Sequence, residues 1–158
     1  MSVEVRHFSA LAPLLLVKDV DVSLSFYENV LGFTVLGRSA DESGLTAHAE
    51  AVFTAGRVVP AQPQGPFMLM FARVGAWASP DKTWARHVEA GPRGRGFIQY
   101  VYVDDVDAFH DAVVAAGAKP CVPLTETDWG DRCFSVDDPD GFRWTFATNV
   151  RPFVEVLA

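Results

Sequence analysis

"PLLLVKDVDVSLSFYENVLGFTVLGRSA" spans residues 13–40. Its short apolar run, Leu14 to Val17, reads as a buried strand. Asp19 or Asp21 can cap a following helix, because a short carboxylate accepts from the first free backbone amides. Val22, Leu24, Phe26, Val30 and Leu31 fall partly at helical spacing, with Phe26, Val30 and Leu31 nearest to one face. Gly32 is a natural helix stop, and "FTVLGRS" then reads as a second strand. The same parts return in the same order in "FIQYVYVDDVDAFHDAVVAAGAKPCVPL", residues 97–124. Ile98 to Val103 is a strand, and Asp104, Asp105 and Asp107 cluster at a helix start. Val106, Phe109, Val113 and Val114 supply an apolar face, and Gly117 ends the helix. "VKDVD" (17–21) aligns with "VDDVD" (103–107), an internal repeat offset by about 86 residues.

Each repeat continues with three extended segments. In the first they are expected near 33–39, 45–55 and 67–73, and in the second near 118–124, 131–137 and 142–148. The turn "DPDG" joins the last two as a hairpin. Between the repeats the sequence predicts a linker with one short helix, about 80–90, started by Pro80 and Asp81. "GRVVPAQPQGP" (56–66) is a Pro/Gly-rich loop inside the first repeat. The expected organisation is α+β, one domain over 1–158, with repeats at about 10–75 and 95–150.

Bulk properties narrow the function classes. The 158 residues suffice for one domain with a real core. Thirteen Lys and Arg against twenty Asp and Glu give a net charge of −7. That disfavours non-specific nucleic-acid binding, which needs a basic face, and favours cationic or neutral small ligands. No apolar stretch approaches the ~20 residues of a membrane-spanning helix. "LAPLLLV" near the start is short and contains Pro13, so it reads as a strand and not a signal peptide. Cys121 and Cys133 form neither a disulfide framework nor a CxxC pair, and they read as reduced thiols of a cytoplasmic protein. There is no GxSxG, P-loop or GxGxxG; "GPRGRG" (91–96) superficially resembles a phosphate loop but precedes a strand, the wrong context.

Two βαβββ repeats, with "KDVDVSLSFYENVLGF" at the start of one and "DDPDGFRWTFAT" at the end of the other, resemble the vicinal oxygen chelate superfamily. That group holds glyoxalase I, extradiol dioxygenases, methylmalonyl-CoA epimerase, fosfomycin-resistance transferases and bleomycin-binding proteins. The tail "TETDWGDRCFSVDDPDGFRWTFATNV" is most similar to the bleomycin-resistance and PhnB-like branches. The resemblance implies a curved mixed sheet around a cleft, the glyoxalase/bleomycin resistance fold. It also implies a homodimer with clefts shared across the interface. Active members of the family bind a divalent metal through His or Glu on strands one and four of each repeat. Carried onto this chain, those positions are Ala12, Ile98, Thr145 and an apolar residue at Leu69 or Met70. None of these is a good ligand, so no cofactor is expected. His48 and Glu50 lie two apart on a predicted strand and could face one side, which is too few ligands alone. His7, His87 and His110 read as exposed or locally paired.

Strand alternation from the vacant metal positions marks the cleft side. It selects Ala12, Leu14 and Leu16, then Ile98, Tyr100 and Tyr102, then Arg143, Thr145 and Ala147. Leu15, Val17, Val101, Val103, Trp144 and Phe146 should pack against helices. Trp129, in the "DWGDR" turn beside Asp128, Asp131 and Arg132, could close one end, and Trp77 and Trp84 are further candidate walls. The expected ligand contacts are Leu14, Leu16, Tyr100, Tyr102, Trp129, Arg132, Arg143 and Thr145. The expected function is non-catalytic binding of a small, partly aromatic molecule such as an antibiotic or secondary metabolite, with no nucleic-acid or membrane partner. The alternative is a metal-dependent lyase, isomerase or dioxygenase with displaced ligands, His48 and Glu50 among them. A third reading is metal-free acid–base chemistry from Glu50, Asp128 or Tyr100.

Overall fold

The computed structural model describes residues 12–53, 67–76 and 82–151. His7, Trp77, the side chain of Trp84, the helix-starting Pro80 and Asp81 and the 56–66 loop fall outside the described residues. The first repeat holds β1 (Leu14–Val17), α1 (Val20–Asn29), β2 (Thr34–Ala40), β3 (Thr46–Phe53) and β4 (Phe67–Arg73). The linker carries α2 (Lys82–Ala90). The second repeat holds β5 (Ile98–Tyr102), α3 (Val106–Ala115), β6 (Val122–Glu126), β7 (Asp131–Asp137) and β8 (Arg143–Asn149). Each repeat forms its own four-stranded sheet, ordered β1-β4-β3-β2 and β5-β8-β7-β6. The outer pair, β1 with β4 and β5 with β8, is parallel, and the remaining pairs are antiparallel. These are the two expected βαβββ units; β6 begins four residues later than the sequence suggested, after Pro120 and Cys121.

Both helices start alike. Asp19 and Asp105 sit in extended conformation, and their carboxylates accept from the backbone amides of Val22 and Ala108 at 3.1 and 2.9 Å. That satisfies amides which the first helical turn leaves open. The buried stripe of α1 differs from the expected one. Val20, Leu24, Tyr27 and, just past the helix, Leu31 face the core, whereas Phe26 and Val30 are only half-buried and Val22 is exposed. The i, i+4, i+7, i+11 spacing runs through Tyr27, which an inventory of purely apolar residues passes over. On α3, Val106 and Val113 are buried, Phe109 packs at the edge, and Val114 is exposed. After α3, Gly117 adopts φ +100°, and the Ala118 amide donates back to Val113 O at 2.9 Å, closing the helix end.

One core joins the repeats. It draws Leu15, Val17, Leu69 and Phe71 from the first sheet and Phe134, Val136, Trp144 and Phe146 from the second, with both helices between. The Tyr27 ring meets Trp144 edge to face at 5.6 Å, and Phe53 meets Phe109 at 6.2 Å. At the centre, Trp144 Nε1 donates to Tyr27 Oη (2.9 Å), and Tyr27 Oη donates to Asp138 Oδ2 (2.6 Å). Asp138 also accepts the Asp140 and Phe142 amides, shaping the DPDG turn. Asp140 in turn accepts the Lys18 amide at 3.0 Å. The turn therefore ties the end of the second repeat to the helix start of the first. Burial, then the Asp138 charge, hold the Tyr27 phenol well above its ordinary pKa. Burial also raises the Asp138 carboxyl, against the hydrogen bonds that favour its charge. The 91–96 loop packs on the same turn: Gly94 has φ +72°, and a Cβ there would lie 2.6 Å from Gly141 O.

Because both helix-bearing faces are spent on this shared core, the opposite faces of the two sheets turn outward. That placement decides where a ligand can reach.

Candidate functional site

The outer face of the first sheet follows from register. Leu14 pairs with Met70 and Met70 with Glu50; Leu16 pairs with Ala72 and Ala72 with His48. Side chains on adjacent paired residues share a face. Leu14, Leu16, Met70, Ala72, His48 and Glu50 thus lie together, an aliphatic and thioether surface with one imidazole and one carboxylate. Leu69, the alternative to Met70 at the fourth implied ligand position, points into the core and is fully buried. Met70 holds the outward place.

The outer face of the second sheet is aromatic and polar. Ile98 pairs with Arg143, Tyr100 with Thr145 and Tyr102 with Ala147. Across the next pairing lie Asp137, Ser135, Cys133 and, opposite Asn149, Asp131. Ile98, Tyr102 and Trp129 are more than half exposed, at 54%, 53% and 57%. Arg143 grips Asp137 through Nε and a terminal nitrogen, at 2.8 and 2.9 Å. That pairing raises the Arg143 pKa further and lowers that of Asp137. Thr145 Oγ1 lies 2.8 Å from Ser135 Oγ, and both residues are buried.

One carboxylate organises the open end of this face. Asp131 Oδ2 accepts Tyr100 Oη at 2.8 Å, Tyr102 Oη at 2.9 Å and Trp129 Nε1 at 3.1 Å. Its Oδ1 accepts Asn149 Nδ2 at 3.1 Å. The turn before it is closed by Thr127, whose Oγ1 accepts the Asp131 amide, and by Gly130 at φ +97°. Burial opposes ionisation of Asp131, but hydrogen bonds from Asn149, both tyrosines and the indole outweigh it, and its pKa lies below the usual carboxylate value. The tyrosines shift the other way. Burial, followed by hydrogen bonding to Asp131, raises both phenols. The group is a carboxylate held ionised under neutral phenols.

Register brings seven of the eight expected contact residues onto the outer faces or their rim: Leu14, Leu16, Tyr100, Tyr102, Arg143 and Thr145 on the strands, and Trp129 beside them. Arg132 lies elsewhere. Alternation sends it to the helix side, where it donates to both oxygens of Asp107 on α3, at 2.8 and 2.7 Å. Asp128 is exposed on the turn and outside the Asp131 network. Asp131 and Asn149 join this face although neither is among the contacts expected from the sequence. Continuing the alternation along 131–137 and 143–149 would have found them, since both fall in step with Thr145.

The four stations where the resemblance implies metal ligands can be tested for donors. Ala12, Ile98 and Met70 offer no hard donor, and the Thr145 hydroxyl is committed to Ser135. These residues do not fit a divalent ion of the family type. Elsewhere among the described residues no three His, Cys, Asp or Glu side chains gather as a metal set.

The geometry agrees with what comparison finds. A protein of Mycobacterium bovis, named only as uncharacterized, is 30% identical over 142 residues, which is 90% of this chain and 84% of that protein. The crystal structure of TioX from Micromonospora sp. ML1 is 26% identical, with a TM-score of 0.62 over 90% of this chain and all of that one. A glyoxalase-related enzyme from Clostridium phytofermentans, 17% identical, superposes with a TM-score of 0.63 over 92% of this chain and 98% of its own. The sequence matches the family described as "Glyoxalase/Bleomycin resistance protein/Dioxygenase superfamily" over residues 5–146. The chain belongs to the glyoxalase/bleomycin resistance protein/dioxygenase superfamily.

Proposed function

We propose that the protein is a non-catalytic binder of a small, partly aromatic molecule, held in an apolar and aromatic cleft. The observation that carries this reading is the chemistry of the outward sheet faces. The family's ligand stations hold alkyl, thioether and committed hydroxyl groups, while Tyr100, Tyr102 and Trp129 stand exposed around them. Exposed aromatic side chains with a few fixed polar atoms suit stacking and orientation of an organic ligand. An antibiotic or secondary metabolite, sequestered in the cytoplasm, is the ligand class we favour; free Cys121 and Cys133 accord with a reducing compartment.

The cleft is proposed to close in a homodimer. Within one chain the two outer faces are turned away from each other by the shared core. A second copy would set the first-repeat face of one chain against the second-repeat face of the other. Phe97, Ile98, Tyr102 and Trp129, each more than half exposed, are the surface such an arrangement would cover. Sedimentation equilibrium should give twice the 17.2 kDa chain mass.

A second reading, a lyase, isomerase or dioxygenase with displaced metal ligands, draws on His48 and Glu50, which share the outer face of the first sheet. One experiment separates the two. The protein is loaded with Zn, Ni, Mn or Fe, desalted, and analysed for metal, then titrated with neutral and charged aromatic compounds by tryptophan fluorescence. Saturable binding without retained metal supports the binding reading. One ion per chain or per dimer, lost on His48→Ala, overturns it.

A further inference from the structure

We propose that the ligand of this cleft is an organic cation, a protonated or quaternary amine, seated on the faces of Tyr100, Tyr102 and Trp129 above Asp131. This rests on the binding reading and specifies its chemistry.

Asp131 is 2% exposed and four donors favour its charged form, yet no cation of the protein pairs with it among the described residues. The arginines nearest in sequence and register are engaged elsewhere. Arg132 is on the other side of the sheet with Asp107, Arg143 is bound to Asp137, and Arg151 reaches Glu126 and the Thr127 carbonyl. All four groups that satisfy Asp131 are neutral donors. They solvate the charge without cancelling it. A buried carboxylate without a counter-charge leaves a negative potential that a nearby cation lowers in energy.

The same donors shape what that cation meets. Each of the three aromatic rings points its O–H or N–H edge at Asp131 Oδ2, so the positive edge is occupied while the side chains stay 40–57% exposed. Donation to an anion also polarises each phenol and indole toward a more negative face. The Tyr100 and Tyr102 centroids are 5.5 Å apart with planes inclined at 54°, so one ion can lie within reach of both faces. A metal ion would need oxygen lone pairs, and Asp131 has already committed its oxygens to four donors. A bulky, weakly hydrated organic cation needs only faces and field, and this site supplies both.

The test uses benzyltrimethylammonium and neopentylbenzene, its uncharged carbon isostere. Both are titrated into the full-length protein within their solubility, followed by tryptophan fluorescence and by NMR shifts. The cation should bind about tenfold tighter or better, the scale of a desolvated cation–π contact reinforced by charge. Asp131→Asn keeps the shape and removes the charge, and should cost the cation about tenfold while changing the isostere little. Should that variant fail to fold, Trp129→Leu, at an exposed position, should weaken the cation several-fold more than the isostere, read by NMR shifts, and equal losses would count against the cation assignment. Equal affinities, or a preference for the isostere, overturn the cation assignment and leave the binding reading standing. Failure of both probes and of a wider set of neutral aromatic compounds overturns both.

Discussion

Along β8, successive side chains enter two different environments. Trp144 and Phe146 go inward, fully sealed, to a ring cluster shared with α1 and α3. Arg143, Thr145 and Asn149 go outward, to a polar and aromatic surface. Each side owns a buried aspartate bonded to tyrosine, and the two shift in opposite directions. On the inner side Asp138 is raised, because desolvation outweighs one phenol and two backbone amides. On the outer side Asp131 is lowered, because four side-chain donors outweigh desolvation. Asp138 lies deeper and beside the Asp140 carboxylate, so depth of burial and neighbouring charge, together with the donors, decide which carboxylate keeps its charge. The inner aspartate ties the two repeats together, and the outer one gathers two tyrosines, an indole and an amide at the open end of the second sheet.

Substitutions can break this comparison, and the strongest should strike the inner face. Trp144→Ala removes a fully buried ring at the repeat junction and the donor to Tyr27. It should cost about 3–5 kcal/mol in denaturant unfolding. A loss under about 1 kcal/mol would mean that the repeats are stable independently of their shared core.

Tyr27→Phe keeps the packing but leaves the Trp144 indole and Asp138 each short of a partner. The expected loss is about 1–3 kcal/mol, read from the same unfolding curves. Gly94→Ala should cost about 1–2 kcal/mol, since its φ is positive and the new methyl meets the Gly141 carbonyl.

The two aspartates should part under pH. For Asp138 the folded pKa is raised, so the folded state binds the proton more tightly. Wild type should gain stability relative to Asp138→Asn as pH falls through that raised value toward the unfolded ~3.9. For Asp131 the folded pKa is lowered, so its contribution is present above ~3.9 and is lost as pH falls through the lower folded value. Wild type should therefore lose its advantage over Asp131→Asn in acid. Parallel curves for the two variants would contradict the contrast.

The smallest stability effect belongs to the outer rim. Trp129→Ala should cost about 0.5–1 kcal/mol, because the indole is mostly exposed but donates to Asp131, while weakening ligand affinity. Arg132→Ala should leave affinity unchanged, since its side chain lies across the sheet from the site.

Much of this was legible from spacing. "VKDVD" and "VDDVD" narrowed both helix caps to two or three aspartates, because capping depends on a short acidic side chain, and the structure selects Asp19 and Asp105. Alternation placed Leu15, Val17, Trp144 and Phe146 inward, because a strand's side-chain period is two whatever surrounds it. Other features had no local signal. Tyr27 reads as an ordinary half-polar helix residue until Asp138, 111 positions away, supplies its partner. Arg132 beside Trp129 looked like part of one turn, yet a single step along the strand puts it on the opposite face. Asp131 became the centre of the site only when β5, the DWGD turn and β8 converged on it.

The sequence by itself determined the repeat, the order of its elements and the side of each strand, since these obey rules of neighbours within a few residues. The tertiary structure decided that the repeats join through their helix-bearing faces, which leaves the opposite faces outward. It also decided that one carboxylate would gather donors from three segments and stay charged. Both depend on contacts between residues distant in the chain, and the free energy of such contacts is set by desolvation and pairing that no local pattern encodes.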